Sequence, residues 1–387
     1  MRERASGGPP PGDGRRKGRG TRPRSWGRTG RPDPFQPPDG RRRVMRLPMI
    51  PRCFFAIAMV AVCSAASAPG VAWATRYAGE FLRIGVGARA LGMGSAFVGL
   101  ADDGTASYWN PAGLATLGER QVTAMHAEQF GSIVQYDFLS YVMPVGSPGK
   151  PKQAISISLV RLGVDDIPDT RGLQIIDQNG NGKFDYPEDL LVVDESRFVF
   201  DSDNDVALIF SYARDVRSGL SLGGNFKYIR QWLGDSLRSN GFGIDLGLLY
   251  VGRNGFSVGA TLRDATTTRI LWNTGTGEFI APSLRLGAAK SRGFQDRRHL
   301  LTAALDVQVG FSDERLSSQA HLGGVTFEFH PGLEYWFERR LALRAGFEAQ
   351  NFTAGAGLRY RKFGMDYAYL DHRDLDASHR VSGSYRF

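Results

Sequence analysis

The sequence predicts an all-β fold: a transmembrane antiparallel outer-membrane β-barrel of about 14 strands. Three observations lead there. Apolar residues alternate with small or polar ones in runs of about ten residues from position 119 to the end. Links between the runs are short on one side, and several are long on the other. An export segment precedes them all.

The export segment spans residues 45–74. Arg46 and Arg52 give a positive start, CFFAIAMVAVCSAASA an apolar middle, and Ala72-Trp73-Ala74 an A-x-A cleavage site. Its apolar run is short for a membrane helix and ends rich in Ser and Ala. Val62 before Cys63 disfavours a lipidation site. The mature chain is expected to begin near Thr75. Residues 1–44 are rich in Arg, Gly and Pro and cannot build a core. The expected start is Met45 or Met49, with the upstream stretch an over-long gene reading; the alternative is a disordered basic tail.

This division explains the charge. The chain carries a formal +9, but residues 1–74 hold 15 Lys and Arg against 4 Asp and Glu, leaving 33 basic and 35 acidic residues beyond them. The basic character belongs to the leader and implies no nucleic-acid partner. Both cysteines, Cys53 and Cys63, also fall in the export segment, so the mature chain has no thiol chemistry.

No window after Ala74 is apolar enough to span a bilayer as a helix. The alternating runs are 14: 119–129, 132–145, 153–163, 204–214, 219–232, 239–251, 255–264, 281–291, 298–309, 330–338, 341–349, 352–361, 363–371 and 377–387. In GFGIDLGLLY (241–250), Phe242, Ile244, Leu246 and Leu248 share one face, and Gly and Asp take the other. That suits a strand between lipid and a wet lumen. Even-numbered links such as 215–218, 252–254 and 339–340 are short; the odd-numbered links 164–203, 265–280 and 310–329 are long. Outer-membrane barrels have short periplasmic turns and longer outer loops. The 49 glycines sit among Phe, Tyr and Leu, as curved, tightly paired sheets prefer. The chain ends in Tyr385-Arg386-Phe387, an aromatic end suited to an outer-membrane barrel of a Gram-negative-type bacterium.

Residues 81–115 hold a decoy. Gly85-Val-Gly87-Ala-Arg-Ala90, with Asp102 and Asp103 downstream, fits a dinucleotide fingerprint. No strand–helix alternation follows, so that reading fails. The segment GARALGMGSAFVGLADDGTASYWNPAGLA instead resembles the N-terminal signature of the PorV/PorQ family of outer-membrane proteins. Its Asn110-Pro111-Ala112-Gly113 resembles the hatch motif of the FadL-type transporters. LSLGGNFKYIR (220–230), LRAGFE (343–348), FGMDYAYLDHRDL (363–375) and SHRVSGSYRF (378–387) extend the PorV/PorQ likeness over most of the mature chain.

The resemblance implies a 14-stranded barrel plugged by residues 75–118, embedded in outer-membrane lipid. It also implies a part in protein export or surface attachment of the type IX kind, with a secreted cargo protein or secretion pore as partner. The long outer links, with Leu271-Trp272 as an apolar anchor, would be the docking surface. The FadL likeness implies the alternative, a transporter of hydrophobic small molecules. A purely structural barrel is the third reading. Small residues from Gly85 to Gly94 let backbone pack inside a lumen, and Asn110 can bond orphan backbone groups beside Pro111, which lacks an N–H. Asn110-Pro111 also suits a plain turn.

The stretch DQNGNGKFDYPE (177–188) matches a twelve-residue calcium loop. Asp177, Asn179 and Asn181 stand at positions 1, 3 and 5, the Lys183 carbonyl at 7, Asp185 at 9 and Glu188 at 12, with Gly182 at the sharp turn. The alternative is a metal-free Asn-Gly turn. A lone loop in a long outer link is expected to be a structural calcium clip, not a sensor. Asp201, Asp203 and Asp205 could add carboxylates or form a solvated strand start. The six histidines (His126, His299, His321, His330, His372, His379) show no tight metal spacing, and no nucleophile–base grouping can be named. The chain is expected not to be an enzyme.

Overall fold

The computed structural model describes residues 79–146, 152–168, 173–176, 178, 181, 190–193, 200–295, 298–310, 319–322, 325–371 and 377–387. The leader 1–44, the export segment 45–74 and most of the calcium-loop stretch lie outside the described residues.

Fourteen strands close into one antiparallel barrel. They are β1 (Gln121–Gln129), β2 (Val134–Val145), β3 (Gln153–Pro168), β4 (Phe200–Arg217), β5 (Leu220–Leu233), β6 (Leu237–Val251) and β7 (Phe256–Arg263). Then follow β8 (Ser283–Phe294), β9 (His299–Gly310), β10 (Val325–Phe337), β11 (Leu341–Glu348), β12 (Asn351–Tyr360), β13 (Phe363–Leu370) and β14 (Ser378–Arg386). Each strand pairs with its neighbours in sequence, and β14 closes on β1, with Gln121 opposite Arg386 and Glu128 opposite His379. Closure leaves no edge whose N–H and C=O groups would lack partners in lipid. The terminal Phe387 N–H also donates to the Arg120 carbonyl at 3.0 Å, which ties the last residue to the start of β1.

The 14 alternating runs coincide with these strands to within a few residues. The main differences lie at the outer ends. β3 runs on to Pro168, β4 starts at Phe200, and β10 starts at Val325 instead of 330. Above the lipid a strand needs no apolar face, so backbone pairing continues where alternation fades. Ile167 opposite Asp201 and Pro168 opposite Phe200 are pairs of that kind. Asp201, Asp203 and Asp205 thus belong to the outer end of β4. The long links also carry short strands absent from the sequence reading. Leu173–Ile176 pairs with Leu190–Val193, Thr268–Trp272 with Gly277–Ile280, and Ala320–Leu322 with β10.

The period of two sorts the wall. On β6, Phe242, Ile244 and Leu246 are exposed outward, while Gly243, Asp245 and Gly247 face the lumen and are buried. Leu343, Phe363 and Met365 are likewise more than half exposed. So much exposed apolar side chain is stable only against lipid. At the periplasmic ends, Phe363 packs on Tyr385 at 4.7 Å between centroids, and Tyr385 packs on Phe387 at 5.0 Å, part of an aromatic rim. No helix among the described residues is long and apolar enough to cross a membrane. The chain is a Gram-negative outer-membrane barrel, and strands do the crossing.

Candidate functional site

The lumen is occupied by the chain's own N-terminal segment, residues 79–118. It has a 3-10 turn (Glu80–Arg83), a one-turn helix α1 (Ala88–Leu91), a second, α2 (Ala106–Trp109), and a 3-10 turn over Pro111–Thr116. Elements this short leave most of their backbone groups without internal partners. Inward side chains of the wall supply the missing partners. Thr261 Oγ1 donates to the Trp109 carbonyl (3.0 Å), Asn225 Nδ2 to Ser107 (2.8 Å), Ser257 Oγ to Gly99 (2.6 Å) and Tyr136 Oη to Phe81 (2.8 Å). Asp306, on β9, accepts from two successive plug N–H groups, Phe97 at 2.9 Å and Val98 at 2.8 Å.

Asn110 is fully buried and spent on this interface. Its Nδ2 donates to the Val98 carbonyl within the plug and to the Leu248 carbonyl of β6, each at 3.0 Å. Its Oδ1 accepts from the Ala112 N–H at 3.2 Å and so caps the turn that Pro111 starts. Pro111, Ala112 and Gly113 are buried, and a Cβ on Gly113 would strike the Ala101 carbonyl. The hatch motif is therefore a rivet between plug and wall. None of its side-chain polar groups is left for a ligand.

The plug fits because the wall is notched. A Cβ on Gly247 would collide with Asn110 and Pro111, and one on Gly332 with the Met93 carbonyl. Gly223, Gly259, Gly287 and Gly346, on four other strands, meet plug backbone in the same way. These glycines serve close backbone approach, a different cause from the sheet curvature expected of them.

One charge network locks the two together. Arg89 of α1 grips Glu334 of β10 with two bonds, Nε–Oε2 at 2.8 Å and Nη2–Oε1 at 2.9 Å. Its Nη1 also reaches Asp102 at 2.6 Å and Asp103 at 3.0 Å. Burial works to strip the Arg89 charge, but Asp102, Glu334 and Asp103 outweigh it and hold its pKa well above the ordinary value. Glu334 accepts as well from Arg344 of β11 at 2.8 Å, and Arg344 pairs with Asp366 of β13. No spacing along the sequence signals this network, because Arg89 and Glu334 lie 245 residues apart.

Above the plug, lined by strands β4 to β11, lies a cavity of about 250 Å³. Its walls include Leu82 and Arg83 of the N-terminal arm, Tyr108, Ile209, Lys227, Asp245, Arg263, Asp264, Arg285, Glu328, His330 and Glu348. Beside it the barrel wall is interrupted. Leu246 of β6 opposes Leu262 of β7, but Phe242 opposes Arg269, so six residues (263–268) face three (243–245). Asp264 and Thr267 take positive φ in this bulge, 52° and 58°. Side chains hold it. Lys227 Nζ bonds Asp264 at 2.6 Å and Asp245 at 2.8 Å, and Thr268 Oγ1 donates to Asp264.

Of the expected calcium ligands, Asp177, Asn179, Lys183, Asp185 and Glu188 lie outside the described residues, and Asn181 is described. The flanks of that stretch form the antiparallel pair Leu173–Ile176 and Leu190–Val193, a separate two-stranded sheet. Among the described residues no group of three or more His, Cys, Asp or Glu is placed to hold a metal ion. Leu271 and Trp272 lie on the short strand beside β6.

No family model matches the chain, and no curated protein sequence does. Solved structures do. The Ralstonia pickettii toluene transporter TbuX is 13% identical with a TM-score of 0.50, covering 78% of this chain and 98% of its own. The P. putida toluene transporter TodX is 14% identical with a TM-score of 0.51, covering 78% and 99%. A Pseudomonas aeruginosa FadL homologue is 12% identical with a TM-score of 0.46, covering 78% and 98%. The chain thus shares the barrel fold of TbuX and TodX. The structures it is similar to are transport channels and not enzymes. No family match stands behind the PorV/PorQ likeness.

Proposed function

We propose that this barrel carries hydrophobic small molecules across the outer membrane, from outside into the cavity above the plug and then sideways through the wall. The observation that carries this reading is the pairing of a closed floor with a weak side. The plug fills the lumen and is bonded to wall strands from β2 to β14. The wall beside the cavity loses its regular pairing at 264–267, where the Ala265 N–H still reaches the Ile244 carbonyl of β6. The likeness in fold to two toluene transporters supports it.

The test is uptake of labelled toluene by a Gram-negative host that lacks such channels of its own. Expression of the chain should speed uptake. Deleting residues 265–267, so that β7 can run on in register, should remove the gain. Uptake no faster than in the empty host would leave a structural barrel as the better reading.

Participation in protein export rests on the PorV/PorQ likeness alone, carried by residues 87–115 together with 220–230, 343–348, 363–375 and 378–387. Recovery of a secreted protein with the barrel would favour it. We also infer that Asp177, Asn179, Asn181, Lys183, Asp185 and Glu188 hold a calcium ion that stiffens the outer link. Their twelve-residue spacing and the antiparallel pairing of the flanks support this.

A further inference from the structure

We infer that the cavity above the plug is a binding site for a small aromatic carboxylate, with Arg263 as the residue that takes its charge and His330 as a second donor. This deepens the transport reading, since it names the kind of molecule carried.

The inference starts from which cations are already paired. Lys227 sits between Asp245 and Asp264, Arg285 bonds Asp306 at 3.2 Å, and Arg83 bonds Glu80 at 3.2 Å. Arg263 differs. Among the described residues it has no carboxylate within ion-pair distance. Its hydrogen bond is a long one, Nη2 to the Tyr108 carbonyl at 3.4 Å. Its guanidinium lies on two plug aromatics, 4.7 Å from the Tyr108 ring centroid and 5.6 Å from Trp109. A guanidinium stacked against aromatic rings and without a carboxylate partner is suited to receive an anion in plane, as carboxylates are received.

His330 is the independent observation. It lines the same cavity from β10 and is 3% exposed, and neither ring nitrogen has a hydrogen-bond partner. Buried polar groups of folded proteins are nearly always satisfied; the plug backbone at Gly94 comes near the ring without a hydrogen bond of good geometry, so the imidazole can still serve a ligand in the cavity. The Glu328 carboxylate stands 3.9 Å from its Nε2, beyond hydrogen-bond reach, and would favour an imidazole that donates.

Size and lining choose the rest of the molecule. The cavity holds about 250 Å³. Roughly 150 Å³ suffices for a benzene ring, so one ring with a carboxylate fits and a long acyl chain does not. Tyr108, Leu82, Ile209 and Ile280 supply an apolar side for the ring. A bare hydrocarbon would leave Arg263 and His330 unpaired and desolvated, which costs affinity.

The test is calorimetric titration of the mature barrel in detergent with benzoate, benzamide and inorganic phosphate. Benzoate should bind at least tenfold more tightly than its neutral isostere benzamide. Phosphate should bind weakly or not at all. Arg263→Gln should weaken benzoate at least tenfold and leave benzamide unchanged, and Arg263→Lys should restore part of the loss. His330→Phe should weaken benzoate by a smaller factor. Folding of each variant is read from its heat-resistant barrel band.

Equal affinities for benzoate and benzamide, or benzoate binding untouched by Arg263→Gln, would overturn the site. So would phosphate binding as tight as benzoate. Benzoate binding that depends on Arg263, in a barrel that speeds no uptake, would uphold the site and remove the transport reading. Toluene uptake through a barrel that ignores benzoate would do the reverse.

Discussion

The two halves of the lumen use the same kind of residue in opposite ways. Below, inward notches and charges meet the plug: Gly247 meets Asn110 and Pro111, Gly332 meets Met93, and Glu334 meets Arg89. Above, inward-facing Arg263 and His330 line the open cavity. Both regions come from the wet face of alternating strands, and both carry charge. The difference teaches that burial of a charge on the lumen side does not by itself mark a ligand site. What marks it is an unsatisfied buried polar group that also lines an open cavity.

The largest effect is expected from breaking the matched half. Glu334 is 1% exposed and serves two guanidiniums at once. Glu334→Ala leaves Arg89 and Arg344 buried without it, and stripping one partner from a buried ion pair costs roughly 3–5 kcal/mol. The variant should melt well below wild type in detergent, and its plug should become open to protease. Glu334→Gln keeps the shape and one acceptor, so it should fall between the two. An Ala variant that melts with wild type would mean that water already reaches this network.

A smaller effect should come from filling a notch. Gly247→Val sets a branched side chain against Asn110 and Pro111, and overpacking of this kind costs about 1–3 kcal/mol. Gly383 is the control on the other side of the same barrel: a Cβ there meets nothing within 4 Å. Gly383→Val should leave melting and plug protection unchanged. Equal loss from both would assign the glycines to sheet curvature, as the composition first suggested.

The same contrast explains what could be read from the sequence. The strands were legible because lipid outside and plug or water inside impose a period of two, and LEYWF or GFGIDL shows it locally. The plug was legible in outline through the resemblance of residues 87–115 to known barrels, with which their run of small residues agrees. Its fastenings were not. Glu334 sits in an inward slot between Leu333 and Tyr335, which signals a charge facing the lumen, but nothing near it names Arg89. Arg263 and His330 carry the same signal and the same silence. Pairing across a barrel is set by closure, and closure has no local spacing.

The smallest effect on the barrel is expected outside it. The strands Leu173–Ile176 and Leu190–Val193 form their own sheet and share no pairing with the wall. Two four-residue strands are marginal alone, so a calcium clip between them would decide their order while adding nothing to the barrel. Asp177→Ala with Glu188→Ala should therefore abolish calcium-dependent protection of residues 164–203 from protease and leave the melting of the barrel unchanged. Equal protection in wild type and double variant would remove the metal. A fall in barrel melting would mean that this link is fastened to the wall after all, and that the outer half of the molecule is bound more tightly than its open cavity implies.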